Sequence, residues 1–250
     1  MSSVITLYDL PSTVPGTTCS PNTAKTRYSL NFKGIRHKTV WVEFLDVEPL
    51  CKKIGAASTG TKPDGQPFYT LPVIYDPAKD IAVSGSIEIA RYLDSAYPSL
   101  PRLMPEGTTA LHYAFTTAFE ATLFPLYSYA LPATLPVLNP ASQDYFRCTR
   151  EALFGGQRLE DVTPQGDDHS IAWQKVNDGF GQVDAWISKN GENSKYIMGE
   201  NICYADILVA GFLRWARTVL SKEQWAEIAS WHGGRWETLM KDLEKYNVVV

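Results

Sequence analysis

The stretch Cys19-Ser20-Pro21-Asn22-Thr23-Ala24-Lys25-Thr26-Arg27-Tyr28-Ser29-Leu30-Asn31-Phe32-Lys33-Gly34-Ile35 reads as a loop feeding a helix that stops at a glycine. Pro is favoured at the first helical position, so Ser20 stands where an N-cap belongs. Ala24, Tyr28 and Phe32 recur every four residues and form one apolar stripe. Lys33 meets the negative end of the helix dipole, and Gly34 supplies the C-cap. On the upstream side, residues 4–8 form a short apolar run bounded by Pro11, which reads as a buried strand.

Downstream, Thr39-Val40-Trp41-Val42 reads as a second strand, followed by a weak helix over residues 48–54. Residues 57–67 are rich in Gly, Thr and Pro and read as a loop. Leu71-Pro72-Val73 opens a strand, where the missing N–H of proline is tolerable. Residues 73–75 and 81–83 flank Asp76-Pro77-Ala78-Lys79-Asp80 and predict a hairpin. Ser84-Gly85-Ser86 then opens a helix over 86–97, with Ile87, Ala90, Leu93 and Tyr97 facing inward. The order is βαβ then ββα: a small mixed sheet with helices on its faces.

Pro98-Ser99-Leu100-Pro101-Arg102-Leu103-Met104-Pro105 can continue neither a helix nor a central strand, and marks a linker. It divides the chain into residues 1–97 and 106–250. Beyond it the signals are helical. Trp173, Val176, Phe180, Val183 and Ile187 mark a core-facing helix; residues 206–220 are apolar nearly all round, and 225–229 and 235–246 suggest two more helices. Pro125 should kink the first helical segment. The fold class is α/β plus all-α.

With 250 residues, 44% hydrophobic and 20% charged, the composition is that of a globular protein. A formal charge of −4 and the lack of a basic tract argue against nucleic acid as a partner. Cys19, Cys51, Cys148 and Cys203 have no metal-knuckle or redox-pair spacing, so the expectation is reduced thiols and no metal. Met1-Ser2-Ser3 has no basic region of a signal sequence, and no apolar stretch approaches a membrane span. The expected location is cytoplasmic, with no membrane partner.

Ser20-Pro21 with Lys33-Gly34-Ile35, Leu71-Pro72-Val73, Ser86 with Ile89 and Tyr92-Leu93, and Met198-Gly199 with Tyr204-Ala205-Asp206 together resemble the soluble glutathione transferases. The likeness covers nearly the whole chain. The run from Ser20 to Gly34 looks most like the fungal etherase-related transferases of the FuA group, and a second similarity is to omega-type enzymes with serine in place of the catalytic cysteine. The resemblance implies a thioredoxin-like N-terminal domain, an all-helical domain carrying the acceptor pocket, glutathione as co-substrate and a homodimer.

Carried over to this sequence, the resemblance makes Ser20 the residue that holds the glutathione thiolate, with Asn22 as a second donor. Ionising most of a thiol of pKa about 8.5 near neutral pH takes about 2.7 kcal/mol. A hydrogen bond to a charged acceptor contributes about 1.5–3 kcal/mol, and a helix N-terminus about 0.3–1 more. A hydroxyl cannot form a mixed disulfide, so conjugation rather than thiol transfer is expected. A rotated loop could present Cys19 instead. The resemblance further makes the Leu71–Pro72 bond cis, turns the backbone of Val73 toward the cysteinyl unit, and places the γ-glutamyl carboxylate at Ser86. Gly85 departs from the family, which has an acid there; weaker glutathione binding is the expectation. Lys62, with Lys52 and Lys53 as alternatives, could take the glycyl carboxylate. Phe115, Phe119, Tyr127 and Tyr129 are the aromatic set expected to line a pocket for phenolic ligands. Asp206 reads as a structural helix cap, and His37, His112, His169 and His232 receive no role. The expected function is thus a serine-type glutathione transferase acting on aromatic or phenolic electrophiles or aryl ethers; the alternative is a ligandin, binding aromatic metabolites with little turnover.

Overall fold

The computed structural model describes residues 4–14 and 18–250; Met1-Ser2-Ser3, read above for a signal sequence, lies outside them. Strand β1 (Ile5–Asp9) lies inside a four-stranded sheet of order β2-β1-β5-β6. It pairs in parallel with β2 (His37–Trp41), Ile5 opposite His37, through the crossover helix α1 (Pro21–Lys33). On its other side it pairs antiparallel with β5 (Val73–Asp76), Tyr8 opposite Val73, and β5 forms a hairpin with β6 (Ile81–Ser84). Helix α2 (Val47–Lys53) follows β2 after a short 3-10 turn over Phe44–Asp46, and α3 (Ser86–Ala96) follows β6. The order is therefore βαβ then ββα. One difference lies in residues 57–67, read as plain loop: β3 (Gly60–Thr61) and β4 (Pro67–Phe68) pair there as a small ribbon. Strands of two residues are too short to leave a periodic signature in sequence.

Helix α1 carries more than an apolar stripe. Lys25, Arg27 and Lys33 are all buried, because the helix lies between the sheet and the helical domain. Each cation has a carboxylate partner, as buried charge requires. Arg27 pairs with Asp9, Lys33 with Asp94 at 2.8 Å, and Lys25 with Glu120 at 3.6 Å. Asp94 also accepts from the amides of Leu103 and Met104 at 2.9 and 2.8 Å, which ties the proline-rich segment back onto α3.

The helical half comprises α4 (Thr109–Thr122), α5 (Tyr127–Thr134), α6 (Pro140–Leu153), α7 (Leu159–Val162), α8 (Asp167–Ile187), α9 (Tyr204–Val219) and α10 (Lys222–Leu243). Pro125 does not kink a continuous helix; it sits in a 3-10 turn between α4 and α5. Helix α10 is interrupted by non-helical backbone from Trp231 to Gly234, so it is two helical pieces, as the sequence suggested. Helix α9 is buried all round its first thirteen residues, 204–216. Gly211 lets it approach α1 closely: a Cβ there would lie 2.8 Å from Lys25 Cγ and 2.9 Å from the Pro21 carbonyl oxygen. The two halves share one core, in which Ile5 and Tyr28 join Phe119 and Phe212.

Candidate functional site

Ser20 caps α1. Its backbone is extended (φ −91, ψ 124) and its Oγ accepts from the Thr23 amide at 3.3 Å. A capping hydroxyl accepts with its lone pair and keeps its own proton to donate. Ser20, Cys19 and Asn22 all lie in the wall of a cavity of about 170 Å³ between the two halves. Cys19 is buried, and that burial, with the charge of Asp9 behind it, pushes its thiol up to about 12.

Leu71, in the same wall, precedes a cis Leu71–Pro72 bond, as the family resemblance implied. Val73 is placed differently from its expected role. It is fully buried in β5 with Tyr8 on one side and Ser84 on the other, so no sheet edge remains beside it for a ligand to pair with. Ser86 opens α3 outside this cavity wall and its Oγ accepts from the Tyr204 hydroxyl at 3.1 Å. Gly85 adopts φ +86 and ψ 131, a backbone region in which an acidic residue would be strained. That gives a physical reason for glycine at this position.

The cavity opens into a groove of about 1080 Å³. Phe44, Tyr127, Tyr145 and Arg150 belong to the walls of both. The groove also takes in Lys52 and Lys62, but each donates to Glu48 at 2.7 Å, and those two hydrogen bonds hold the Glu48 carboxyl down at about 2. Glu43 ties the Phe44 turn to α6 by accepting from Ser142 Oγ and from Asn139 Nδ2, the latter at 2.7 Å. Trp215 closes the cavity from α9, its indole N–H donating to Thr134 Oγ1 at 2.8 Å.

Of the four aromatic residues expected at the pocket, the structure brings in Tyr127 alone. Phe119 is fully buried against Phe212, with ring centroids 5.0 Å apart, and Phe115 packs edge-on against Trp186 at 5.6 Å. Tyr129 is held in the core by Trp173 at 4.8 Å and donates to the His169 carbonyl at 3.1 Å. The apolar faces that carry them turn into the helical core rather than toward the gap between the halves. The lining instead comes from Phe44, Tyr69, Tyr145, Phe146 and Trp215. Tyr145, Phe146, Thr149, Arg150 and Leu153 do share one helical face at i, i+1, i+4, i+5 and i+8, and that amphipathic pattern was the available signal. Asp206 sits where the sequence put it, at the start of α9, accepting from the Cys203 and Ile197 amides at 2.9 and 2.8 Å. Burial pushes its carboxyl up to about 6.

Two family models match this chain: the glutathione S-transferase N-terminal domain over residues 19–96 and the C-terminal domain over residues 110–246. The chain belongs to the glutathione S-transferases. This transferase is 30% identical to the glutathione S-transferase-like protein ustS of Aspergillus flavus, over 95% of the chain and 88% of that protein. Among solved structures it is similar to a glutathione S-transferase of Ceriporiopsis subvermispora in complex with glutathione, with 45% identity, a TM-score of 0.94 and 99% of both chains covered. It is also similar to glutathione transferase GSTFuA2 of Phanerochaete chrysosporium, with 41% identity, a TM-score of 0.92 and 100% of both chains covered. These neighbours support membership of the FuA-like group of the transferases, and the thioredoxin-like and helical domains are those of the family. No described helix is long and apolar enough to cross a membrane.

Proposed function

We propose that this transferase ionises glutathione with the Ser20 hydroxyl and conjugates it to aromatic or phenolic electrophiles or aryl ethers entering through the groove. The observation that carries the reading is the Ser20 cap: Oγ accepts from the Thr23 amide, which leaves its own proton to donate, and Ser20 lies in the wall of the cavity. A charge-assisted hydrogen bond of this kind is worth about 1.5–3 kcal/mol, and the α1 N-terminus adds to it. Asn22, exposed on the same wall, is the second donor. Cys19 is the weaker candidate, because a buried thiol pushed up to about 12 is neither a thiolate nor a ready nucleophile.

In this reading the peptide-pairing role passes from Val73 to Leu71, which lines the cavity just before the cis bond. The γ-glutamyl carboxylate lies at the start of α3 on Ser86, with Gly85 giving it no acid for the amine. Lys62 reaches the glycyl end only by loosening its pair with Glu48. The rest of catalysis is proximity: the groove holds an aromatic ring beside the sulfur. The protein acts in the cytosol as a homodimer, which light scattering checks.

Conjugation assays on Ser20→Ala and Cys19→Ser test the assignment. The first should lose roughly tenfold to a hundredfold in kcat/KM and the second little. Full activity in Ser20→Ala would overturn it. A second reading, ligand storage without turnover, is favoured by the absence of an acid at Gly85 and by the size of the groove. It requires saturable binding of an aromatic probe with no conjugation of any standard electrophile.

A further inference from the structure

Arg150 is the only charged residue in the wall of the Ser20 cavity among the described residues. It projects from α6, where its neighbour Arg147 is occupied by Glu151 at 3.1 Å and Glu160 at 2.6 Å. No carboxylate among the described residues stands within ion-pair distance of Arg150. Its Nη1 uses one hydrogen on Thr149 Oγ1 at 3.0 Å, and the guanidinium lies over the ring of Phe146, 4.9 Å from the centroid, with Phe44 at 5.9 Å. The two rings hold the guanidinium by cation–π attraction, and its fork has further N–H donors beyond the one given to Thr149. Burial lowers its pKa, and only Tyr145, Tyr127 and Cys19 oppose that shift.

A half-buried guanidinium without a counter-charge carries an uncompensated desolvation cost, which an anion in the cavity would relieve. The other charges of the groove are already engaged. Lys52 and Lys62 hold Glu48, and Asp64 accepts from the Gln66 amide at 2.9 Å within its own turn. Arg150 stands where cavity and groove join, beside Tyr127 and Tyr145.

We propose that Arg150 makes the groove selective for aromatic molecules that carry a carboxylate, the ring resting among Phe44, Tyr127 and Tyr145 and the carboxylate taken by the guanidinium fork. This rests on the groove being the acceptor site of the transferase reading and narrows that site to aryl acids.

Two matched pairs of compounds test it on the full-length protein. Binding of 2-naphthoate and of the neutral 2-naphthamide, followed by quenching of tryptophan fluorescence, needs no glutathione and no turnover. The acid should bind roughly tenfold or more tightly than the amide. That ratio should fall to near one in Arg150→Gln and be largely kept in Arg150→Lys, with circular dichroism checking that both variants fold. A ratio near one in the unsubstituted protein, or one unchanged in Arg150→Gln, overturns the proposal. Conjugation of ethacrynic acid and of its methyl ester, which share one enone, is the second arm. Arg150→Gln should raise KM far more for the acid than for the ester. Equal loss for both would place Arg150 on glutathione rather than on the acceptor and overturn the proposal. Absence of conjugation of these and of every standard electrophile, with the naphthoate preference intact, would strike the transferase reading and uphold the aryl-acid site.

Discussion

Arg214 Nη1 donates to the carbonyl oxygen of Thr18 at 2.7 Å, across 196 positions of sequence. Through this contact the central helix of the helical domain holds the loop that presents Ser20. Arg214 also donates from Nε to Asn247 Oδ1 at 2.8 Å, so its fork braces the Thr18 loop against the C-terminal segment. Arg214→Gln removes this donor from a fully buried residue and should lower stability by about 1–3 kcal/mol. Conjugation should fall with it, because Ser20 loses its support. Arg214→Lys keeps the charge but cannot hold both partners, so it should fall between. Thermal unfolding beside conjugation rates checks the order.

Gly211 marks the closest approach of α9 to α1. A methyl group there meets the Pro21 carbonyl at 2.9 Å, and a backbone atom cannot move aside as a side-chain end can. Gly211→Ala should destabilise the protein by about 1–3 kcal/mol, the cost of overpacking. Since Pro21 follows Ser20 directly, activity should drop before the fold is lost. Urea denaturation and assays at a temperature well below unfolding separate the two effects.

Lys25 gives a pH dependence with a definite sign. Its burial lowers the ammonium to about 8, against an opposing pull from Glu120. The folded protein therefore releases this proton more readily than the unfolded chain does. The group's contribution is full above the ordinary lysine value of about 10.5 and is lost as pH falls through about 8. Stability attributable to Lys25 should rise between pH 8 and 10.5, by an amount on the order of 3 kcal/mol. Lys25→Met should abolish that rise. Comparing denaturation midpoints of the two proteins across this range isolates the lysine from the tyrosines and cysteines that titrate there too.

The cysteines should differ sharply in reactivity. Cys148 is exposed, whereas Cys19, Cys51 and Cys203 are buried. Burial and the Asp9 charge push Cys19 up to about 12, and burial raises Cys203 still further. Iodoacetamide at pH 8 should label Cys148 first and leave Cys19 untouched while the protein is folded. Peptide mass mapping over a time course reads this out; labelling of Cys19 at the rate of Cys148 would return it to contention as the reactive group.

Local grammar carried a great deal. The helix from Pro21 to Lys33 was legible because proline at the first position, a capping serine and a terminal glycine each fix one part of it. The hairpin at residues 73–84 and the buried row from Trp173 to Ile187 were legible from turn chemistry and from period. What stayed hidden was the ribbon at residues 60–68, too short for a pattern, and the wall of the cavity. Phe115, Phe119 and Tyr129 were plausible lining by composition, yet they pack into the helical core, while Tyr145, Phe146 and Trp215 face the gap. Val73 missed the cavity by two positions: Leu71, not Val73, lies in its wall.

By itself the sequence determined the βαβ then ββα order of the N-terminal half and the Ser20 cap, because those depend on neighbours a few residues apart. Only the tertiary structure decided which aromatic faces border a void, which lysines are consumed by Glu48 and that Arg150 has no acid within ion-pair distance among the described residues. Those outcomes depend on how faces distant in sequence come together. Periodicity says that a face is covered; whether another helix or an open cavity covers it is set by packing between α5, α6, α9 and the N-terminal domain.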